Sequence, residues 1–286
     1  SANKNSFEEL LVYDKRHGWH EAENFAYLFN DNEISFLSDL DINFLQENTY
    51  VSDFYDDSKN LSNQISIIFE NFPYYKTHIK GLVISFKDDK LLFTIGHLGF
   101  IDEVQMPNHL SGKIISINKK DGSFDLISIG HRNPQGLMYL KEFDEVWSHE
   151  HGPKGGDEIN IIKKNKNYGW PIVTYGKEYW GGKIGVNRPV EGYEEPIWKW
   201  IPSIAPSGIT YYNKNSIKRF KNKILVGSLK FRSLYIIELK NKRPISEIGI
   251  LKNKIGRIRD VLTHPNGYVL LISDEKNGCL FKLEKN

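Results

Sequence analysis

The chain has 286 residues with 38 Lys/Arg and 36 Asp/Glu, a formal net charge of +2, and one cysteine, Cys279. The near balance of charge argues against a protein that binds through a broad nucleic-acid footprint. A single cysteine excludes an internal disulfide and a cysteine-rich zinc site within these residues. The charge is uneven, because residues 1–60 hold 13 acidic and 4 basic side chains and the rest of the chain has a basic surplus of 11. Hydrophobic residues make up 40% of the chain, enough for a sizeable core, and no apolar run approaches the ~20 residues that span a bilayer.

Short runs rich in β-branched and aromatic residues, bounded by Gly, Asn and Asp, dominate the chain and predict β-strands. In chain order these runs lie at 81–86, 91–95, 113–117, 223–227, 233–237 and 268–272. Only residues 6–12 and 21–29 show a local helical pattern. The sequence therefore predicts an all-β fold.

The predicted strands repeat as a unit of turn, strand, loop and strand. We expect the inner strands of four units to begin at about residues 91, 145, 224 and 269, with spacings of 54, 79 and 45. Four-stranded blades of about 40–50 residues are typical of a β-propeller, and the 79-residue interval then needs a long insertion. A β-sandwich with accidental repetition is the alternative.

A glycine-rich segment with carboxylates follows a polar segment in the middle of the chain. Residues 130–137 read Gly-His-Arg-Asn-Pro-Gln-Gly-Leu, and residues 150–158 read Glu-His-Gly-Pro-Lys-Gly-Gly-Asp-Glu. Glycine lets main-chain carbonyls turn towards an ion, and Asp157 and Glu158 are hard oxygen ligands that suit Ca²⁺. The alternative is a tight turn in which one of these carboxylates pairs with a lysine.

Aromatic residues alternate with Gly and Pro between residues 167 and 208. This stretch contains Tyr168, Trp170, Tyr175, Tyr179-Trp180 and Trp198-Lys199-Trp200. Such rings either stack on sugars or planar cofactors, or pack beneath a long insertion.

In these segments the chain resembles the PQQ-dependent sugar dehydrogenases, the family of soluble glucose dehydrogenase and the aldose sugar dehydrogenases. The matching stretches are 130–137, 150–160, 167–171, 202–208, 227–230 and 256–261, and the resemblance covers residue 78 to the C-terminus. It implies a single six-bladed β-propeller over residues 1–286 that holds pyrroloquinoline quinone (PQQ) and Ca²⁺ at its mouth. Residues 1–70 match least, which implies an N-terminal blade that is degenerate or incomplete.

The resemblance also assigns site residues. Arg132 and Asn133 look like the family's cofactor-contacting Arg-Asn pair, and Arg132 would also polarise the quinone oxygen. The other residues that it implies for the cofactor are Lys230, Arg257 and Arg259. Guanidinium groups suit the carboxylates of PQQ. For Ca²⁺ it implies the carbonyls of Gly152 and Pro153, and, for a second structural ion, Glu158 and the main chain of Tyr168.

The proton acceptor that the resemblance implies is His78. It lies in Thr77-His78-Ile79-Lys80-Gly81-Leu82-Val83, which is similar to the family's histidine before a Gly-x-Leu-Val strand. Histidine suits proton removal near neutral pH. The chain departs from the family at Thr77, where an acidic residue is usual, and at His97, where Asp is common.

The leading interpretation is an oxidoreductase that oxidises the anomeric hydroxyl of a sugar to a lactone, with hydride transfer to PQQ held by Ca²⁺. A non-catalytic propeller that uses its mouth to bind a ligand or protein, and a Ca²⁺-dependent lactonase-type propeller, are the alternatives. The expected partners are a sugar or polyol and an unidentified electron acceptor, with no nucleic acid and no membrane span. The resemblance implies a periplasmic or secreted protein.

Overall fold

The computed structural model describes residues 13–14, 18–19, 84–87, 90–97, 99–118, 123–187, 189–276 and 278–285. Within these ranges the regular elements are β-strands and one 3-10 turn, Lys218–Phe220, without an α-helix. The predicted all-β fold is confirmed there, while the helical patterns at 6–12 and 21–29 lie outside the described residues. None of the described helices is long and apolar enough to cross a membrane.

Four antiparallel sheets follow one another along the chain, after a two-residue pair of β1 (Tyr13–Asp14) and β2 (Gly18–Trp19). The first sheet contains β3 (Ile84–Lys87), β4 (Lys90–Ile95), β5 (Lys113–Asn118), β6 (Phe124–Ile129) and β10 (Lys166–Asn167). The second contains β7 (Pro134–Leu140), β8 (Glu145–Glu150), β9 (Asp157–Ile162) and β11 (Trp198–Trp200). The third contains β12 (Pro206–Tyr212), β13 (Lys223–Ser228), β14 (Ser233–Lys240) and β15 (Arg243–Ile250). The fourth contains β16 (Ile258–Thr263), β17 (Val269–Ser273) and β18 (Leu280–Leu283).

The strands pair in chain order within each sheet, and β10 is the exception. It returns from the segment after β9 and pairs in parallel with β6, with Lys166 opposite Ser128 and Asn167 opposite Ile129. The predicted long insertion between the second and third units corresponds to residues 163–205, which contain β10 and β11.

The hydrophobic cores lie between consecutive sheets. One joins the first and second sheets through Leu92, Ile114 and Leu137; a second joins the second and third through Trp147, Ile159 and Val226. A third joins the third and fourth sheets through Leu225, Ile236 and Val261. Each sheet therefore packs face to face against the next, as aligned sheets with buried inner faces do.

Each strand predicted as an inner strand of a unit has a neighbouring strand on both sides in its sheet. The predicted starts at 91, 145, 224 and 269 match β4, β8, β13 and β17, which are the second strands of their sheets. The first strands make the contacts between sheets, since β12 packs against both β7 and β16, and β7 packs against β3. The sequence pattern identified the most apolar strands, and each of these lies between two other strands of its sheet.

Candidate functional site

The predicted site residues meet because the strands of each sheet are antiparallel. The first strand begins where the second ends, with Pro134 opposite Glu150, Pro206 opposite Ser228, and Ile258 opposite Ser273. The segments next to these pairs therefore lie at one edge of the sheets, which we call the mouth. The mouth carries the following predicted residues: Arg132, Asn133, Gly152, Pro153, Lys230, Arg257 and Arg259.

Arg132 is held in place from two directions at the mouth. Its Nη1 donates to the carbonyl of His151 at 3.0 Å, and its guanidinium lies 5.1 Å from the ring centroid of Trp170. Burial lowers the pKa of the Arg132 guanidinium, and the nearby Tyr179 phenol and the Glu150 and Asp157 carboxylates oppose that shift. Within the described chain its Nε–H is buried and has no hydrogen-bond partner. Arg132 is thus a fixed cation with a donor left for a ligand.

A buried carboxylate, Glu150, orders the turn that carries Arg132 and Asn133. Its Oε2 accepts from the backbone amides of Arg132 at 2.6 Å and Asn133 at 3.3 Å. Its Oε1 accepts from Asn160 Nδ2 at 3.4 Å and lies 3.2 Å from Nδ1 of His131. Burial alone would raise the pKa of Glu150, but these hydrogen bonds hold it below the ordinary value, so Glu150 is an anion near neutral pH.

His131 connects Glu150 to the layer behind the mouth. Its Nε2 lies 2.8 Å from Ser128 Oγ, and its ring stacks on Tyr168 with centroids 4.7 Å apart. Tyr168 Oη donates to the carbonyl of Ile161 at 2.6 Å. Tyr168, predicted as a main-chain ligand of a second ion, therefore lies behind the turn of Arg132.

The glycine-rich loop is folded around the carboxylate of Asp157. Asp157 Oδ1 accepts from the amide of Gly152 at 3.0 Å, and Oδ2 accepts from Ser203 Oγ, Ile204 N and Ala205 N at 2.7, 2.8 and 3.0 Å. Its oxygens are therefore occupied by these donors, and the prediction of Asp157 as an ion ligand is not supported. Within the described chain the carbonyls of Gly152 and Pro153 accept no hydrogen bond, so these oxygens are available to a cation.

Close packing makes glycine necessary at position 152. A Cβ there would lie 2.2 Å from the carbonyl oxygen of Gly155 and 2.4 Å from that of Gly156, both backbone atoms. A side chain would therefore force the loop apart.

Glu158 lies beside other carboxylates, those of Glu150 and Glu195. Its Oε2 accepts from Asn160 Nδ2 at 3.3 Å. Burial, followed by the charge of Glu150, raises the pKa of Glu158 to about 8. No contact in the described chain joins Glu158 to Tyr168, and no group of three or more His, Cys, Asp or Glu there is arranged to hold a metal ion.

Arg257 and Arg259 share one acidic partner. Their Nη2 atoms lie 2.8 and 2.7 Å from Oδ2 of Asp274, whose side chain is 6% exposed. The Nε of Arg259 is buried without a partner in the described chain. Lys230 is exposed, with its Nζ 5.3 Å from the ring centroid of Phe231. The pair of arginines therefore contributes about one net positive charge to the mouth.

His97, singled out for its departure from the family pattern, lies at the mouth next to Arg132. Its backbone amide donates to the carbonyl of Arg132 at 2.8 Å, and its ring centroid is 6.1 Å from that of Trp170. His78 and Thr77 lie outside the described residues.

Sequence reasoning missed Gln105, which binds the backbone of Trp170 and the side chain of Asn167. Gln105 Nε2 donates to the carbonyl of Trp170 at 2.6 Å, and its Oε1 accepts from Asn167 Nδ2 at 2.6 Å. Gln105 is 62 residues from Asn167 and lies in a loop without a motif, so no local signal could have identified it. Glu150 is the first residue of the glycine-rich segment 150–158, and this position was the sequence signal that could have indicated its role.

Comparison with known proteins adds the family. The family model described as glucose/sorbosone dehydrogenase matches residues 29–282. The chain belongs to this family. Among its members, the aldose sugar dehydrogenase YliI of Escherichia coli is 33% identical over 233 residues, which are 76% of this chain and 63% of that protein.

Solved structures of family members resemble the described fold. The soluble aldose sugar dehydrogenase of Escherichia coli, in its apo-form, matches with a TM-score of 0.67 and 33% identity, covering 71% of this chain and 63% of that one. The PQQ-bound aldose sugar dehydrogenase of Streptomyces coelicolor matches with a TM-score of 0.57 and 25% identity, covering 72% and 61%. This family member thus spans less than two thirds of the length of these relatives.

Proposed function

We propose that this chain acts as a PQQ-dependent sugar dehydrogenase that oxidises the anomeric hydroxyl of an aldose to a lactone. The observation that carries the proposal is a set of buried N–H donors without partners in the described chain: Nε of Arg132, Nε of Arg259 and Nε1 of Trp170. Buried donors normally have acceptors. The carboxylates and quinone oxygens of PQQ are acceptors of the kind that guanidinium groups bind well. The family and the PQQ-bound relative support the same cofactor.

The free carbonyls of Gly152 and Pro153 fit a hard cation such as Ca²⁺. We include Ca²⁺ at these carbonyls in the proposal, and a second Ca²⁺ near Glu158 and Tyr168. When bound, PQQ would supply the hydride-accepting quinone and Ca²⁺ a Lewis acid. Asn133, Lys230 and Arg257 complete the proposed set of cofactor contacts.

The protein's own residues supply position and charge. Arg132 provides a fixed positive charge at the mouth that would stabilise negative charge developing on a bound quinone, and such preorganised charge is a large part of catalysis. Glu150 fixes the amides of Arg132 and Asn133, so the turn is ordered before any ligand arrives. His78 would take the proton of the anomeric hydroxyl, which is the role that an imidazole performs near neutral pH.

The proposal is tested by reconstitution with PQQ and Ca²⁺, followed by dye reduction with an aldose. We expect His78→Ala to abolish turnover and to retain PQQ binding. Undiminished turnover in this variant would reject His78 as the base.

A non-catalytic binding propeller is favoured by one observation, the partial neutralisation of the Arg257 and Arg259 pair by the single carboxylate of Asp274. Failure to bind PQQ in a titration with Ca²⁺ present would support it over the dehydrogenase. A lactonase-type site needs a carboxylate cluster around its metal. The part of the mouth that the structure describes presents arginines and main-chain carbonyls instead, so this reading has no support there.

We also propose that the four described sheets belong to a single six-bladed propeller domain spanning residues 1–286, in a periplasmic or secreted protein. The packing of successive first strands supports the propeller. Cell fractionation of the native protein tests the location.

A further inference from the structure

Three exposed lysines stand in lateral register next to the glycine-rich loop. Lys154 is opposite Lys177, and Lys177 is opposite Lys183, each in an antiparallel bridge. Residues opposite each other in such pairs have Cβ atoms about 4.5–5.5 Å apart, and like charges there are unfavourable. Within the described chain none of the three forms an ion pair, and Lys154 Nζ donates only to the carbonyl of Tyr179, at 3.3 Å. The fold thus concentrates three positive charges that no ion pair in the described chain offsets.

Two aromatic residues project from the turn between Lys177 and Lys183. Backbone hydrogen bonds close the turn, from Glu178 N to Gly182 O and from Gly181 N to Glu178 O, both at 2.8 Å. At its tip Tyr179 is 67% exposed and Trp180 is 81% exposed. Tyr and Trp are the residue types most enriched among the energetic centres of protein interfaces, and charged residues around them guide encounter.

This surface lies at the mouth. Lys154 directly follows Pro153, and a Cβ on Gly176 would lie 2.5 Å from Cδ of Pro153, so the hairpin packs tightly on the loop whose carbonyls are free. Tyr179 also lies near Arg132, and the Tyr179 phenol raises the pKa of the Arg132 guanidinium against the effect of burial. A molecule bound here would be next to the proposed cofactor site.

We propose that Lys154, Lys177, Tyr179, Trp180 and Lys183, which we call the lysine–aromatic surface, form the docking surface for an acidic redox protein that accepts electrons from this enzyme. The inference rests on the proposed function. Oxidation of one aldose to its lactone releases two electrons and two protons. Two molecules of a one-electron carrier dock in turn and are each reduced by one electron, while the two protons pass to water.

Charge complementarity decides in favour of an acidic partner. Three unpaired cations attract an anionic surface and accelerate its encounter by roughly 10- to 1000-fold, an effect that salt suppresses. A small anionic sugar would meet the same lysines, so the experiment must distinguish a phosphorylated substrate from a protein acceptor.

The experiment compares the wild type with a triple variant, Lys154→Gln, Lys177→Gln and Lys183→Gln. A control triple variant, Lys218→Gln, Lys221→Gln and Lys240→Gln, removes exposed lysines at the opposite edge of the sheets. The first readout is calorimetric binding of an acidic and a basic c-type cytochrome at low ionic strength, which needs no turnover. The second is kcat/KM for each cytochrome, with glucose and with glucose 6-phosphate as electron donors.

We expect the wild type and the control variant to bind the acidic cytochrome. The triple variant of Lys154, Lys177 and Lys183, which we call the mouth variant, should lose at least about tenfold in affinity and in kcat/KM for this cytochrome. Its KM for glucose should not change. The basic cytochrome should show no such loss. Equal binding by all three proteins would overturn the proposal. A preference for glucose 6-phosphate that disappears in the mouth variant would also overturn it and assign the lysines to a substrate. If the wild type oxidises no sugar but binds the acidic cytochrome through these lysines, the docking surface stands and the proposed function fails.

Discussion

Substitution of Glu150 by Gln tests whether one buried anion orders the cofactor-binding turn. Gln keeps the shape but loses the charge and presents an NH₂ to a site filled with donors from Arg132, Asn133, His131 and Asn160. Hydrogen bonds to a charged group contribute ~1.5–3 kcal/mol each, and breaking a buried charged network costs ~3–5 kcal/mol in total. We therefore expect the free energy of unfolding to fall by about 3–5 kcal/mol at pH 7. We expect PQQ affinity to fall about tenfold, equivalent to ~1.4 kcal/mol.

The assay combines urea unfolding with a PQQ titration followed by tryptophan fluorescence. The matched control is Glu247→Gln. Glu247 is a half-buried carboxylate that also accepts from two N–H groups, Trp198 Nε1 at 3.1 Å and Trp200 Nε1 at 2.6 Å, and it makes no contact with Arg132 in the described chain. It should reduce stability without changing PQQ affinity. An equal change in PQQ affinity in both variants, or none in Glu150→Gln, would refute the reasoning.

The titration of Glu150 should also make the stability of the protein depend on pH. Its folded pKa lies below the ordinary 4.5, so its contribution to stability is present above that value and is lost as the pH falls through the folded pKa. Glu150→Gln should lack this acid-dependent loss in unfolding curves measured between about pH 5 and pH 2.

Three further predictions address the loop, a buried acid and the ring beneath Arg132. Gly152→Ala should weaken Ca²⁺-dependent PQQ binding, because the added Cβ would lie 2.2 Å from the carbonyl oxygen of Gly155. Gly249→Ala is the control and should leave binding unchanged, because its added Cβ would lie no closer than 3.6 Å to another residue. A PQQ titration with and without a chelator measures both variants. Burial raises the pKa of Asp260 in the folded protein from 3.8 to about 6, so the stability of the wild type should fall as the pH rises through that interval. Asp260→Asn should therefore be more stable than the wild type at pH 7, by about 1–3 kcal/mol in thermal unfolding. Gln105→Ala removes the donor to the carbonyl of Trp170 and should lower kcat three- to tenfold, equivalent to ~0.7–1.4 kcal/mol. The change in KM for the aldose should be smaller, and steady-state kinetics measures both.

The sequence predicted the strands well because each is a short apolar run closed by turn residues. The runs at 91–95, 113–117 and 223–227 coincide with β4, β5 and β13 to within a residue or so. It did not indicate which strand of each sheet faces the neighbouring sheet. The first strands, such as β12, carry Gly, Pro and Ser among their apolar residues, and close packing against a neighbour depends on geometry that hydrophobicity does not encode.

The location of candidate site residues was predictable where they belong to a local sequence motif. Arg132, Gly152 and Pro153 lie together at the mouth, as their motifs indicated. The roles of Asp157 and Asp274 were not predictable, because three of the four donors to Asp157 are 46–48 residues away and Asp274 faces two arginines across a strand pair. A carboxylate in a glycine-rich loop has the same sequence signature whether it binds an ion or the loop's own amides.

The parallel pairing of β10 with β6 has a consequence for how the molecule opens. Residues 165–170 are bonded to the first sheet by Asn165 N to Ile127 O, Tyr168 N to Ile129 O and Trp170 N to Gly130 O, at 2.7, 2.9 and 2.9 Å, although they follow the third strand of the second sheet in the chain. Separation of these two sheets must therefore break this strap, so the amides of both should exchange with solvent deuterium as one cooperative unit.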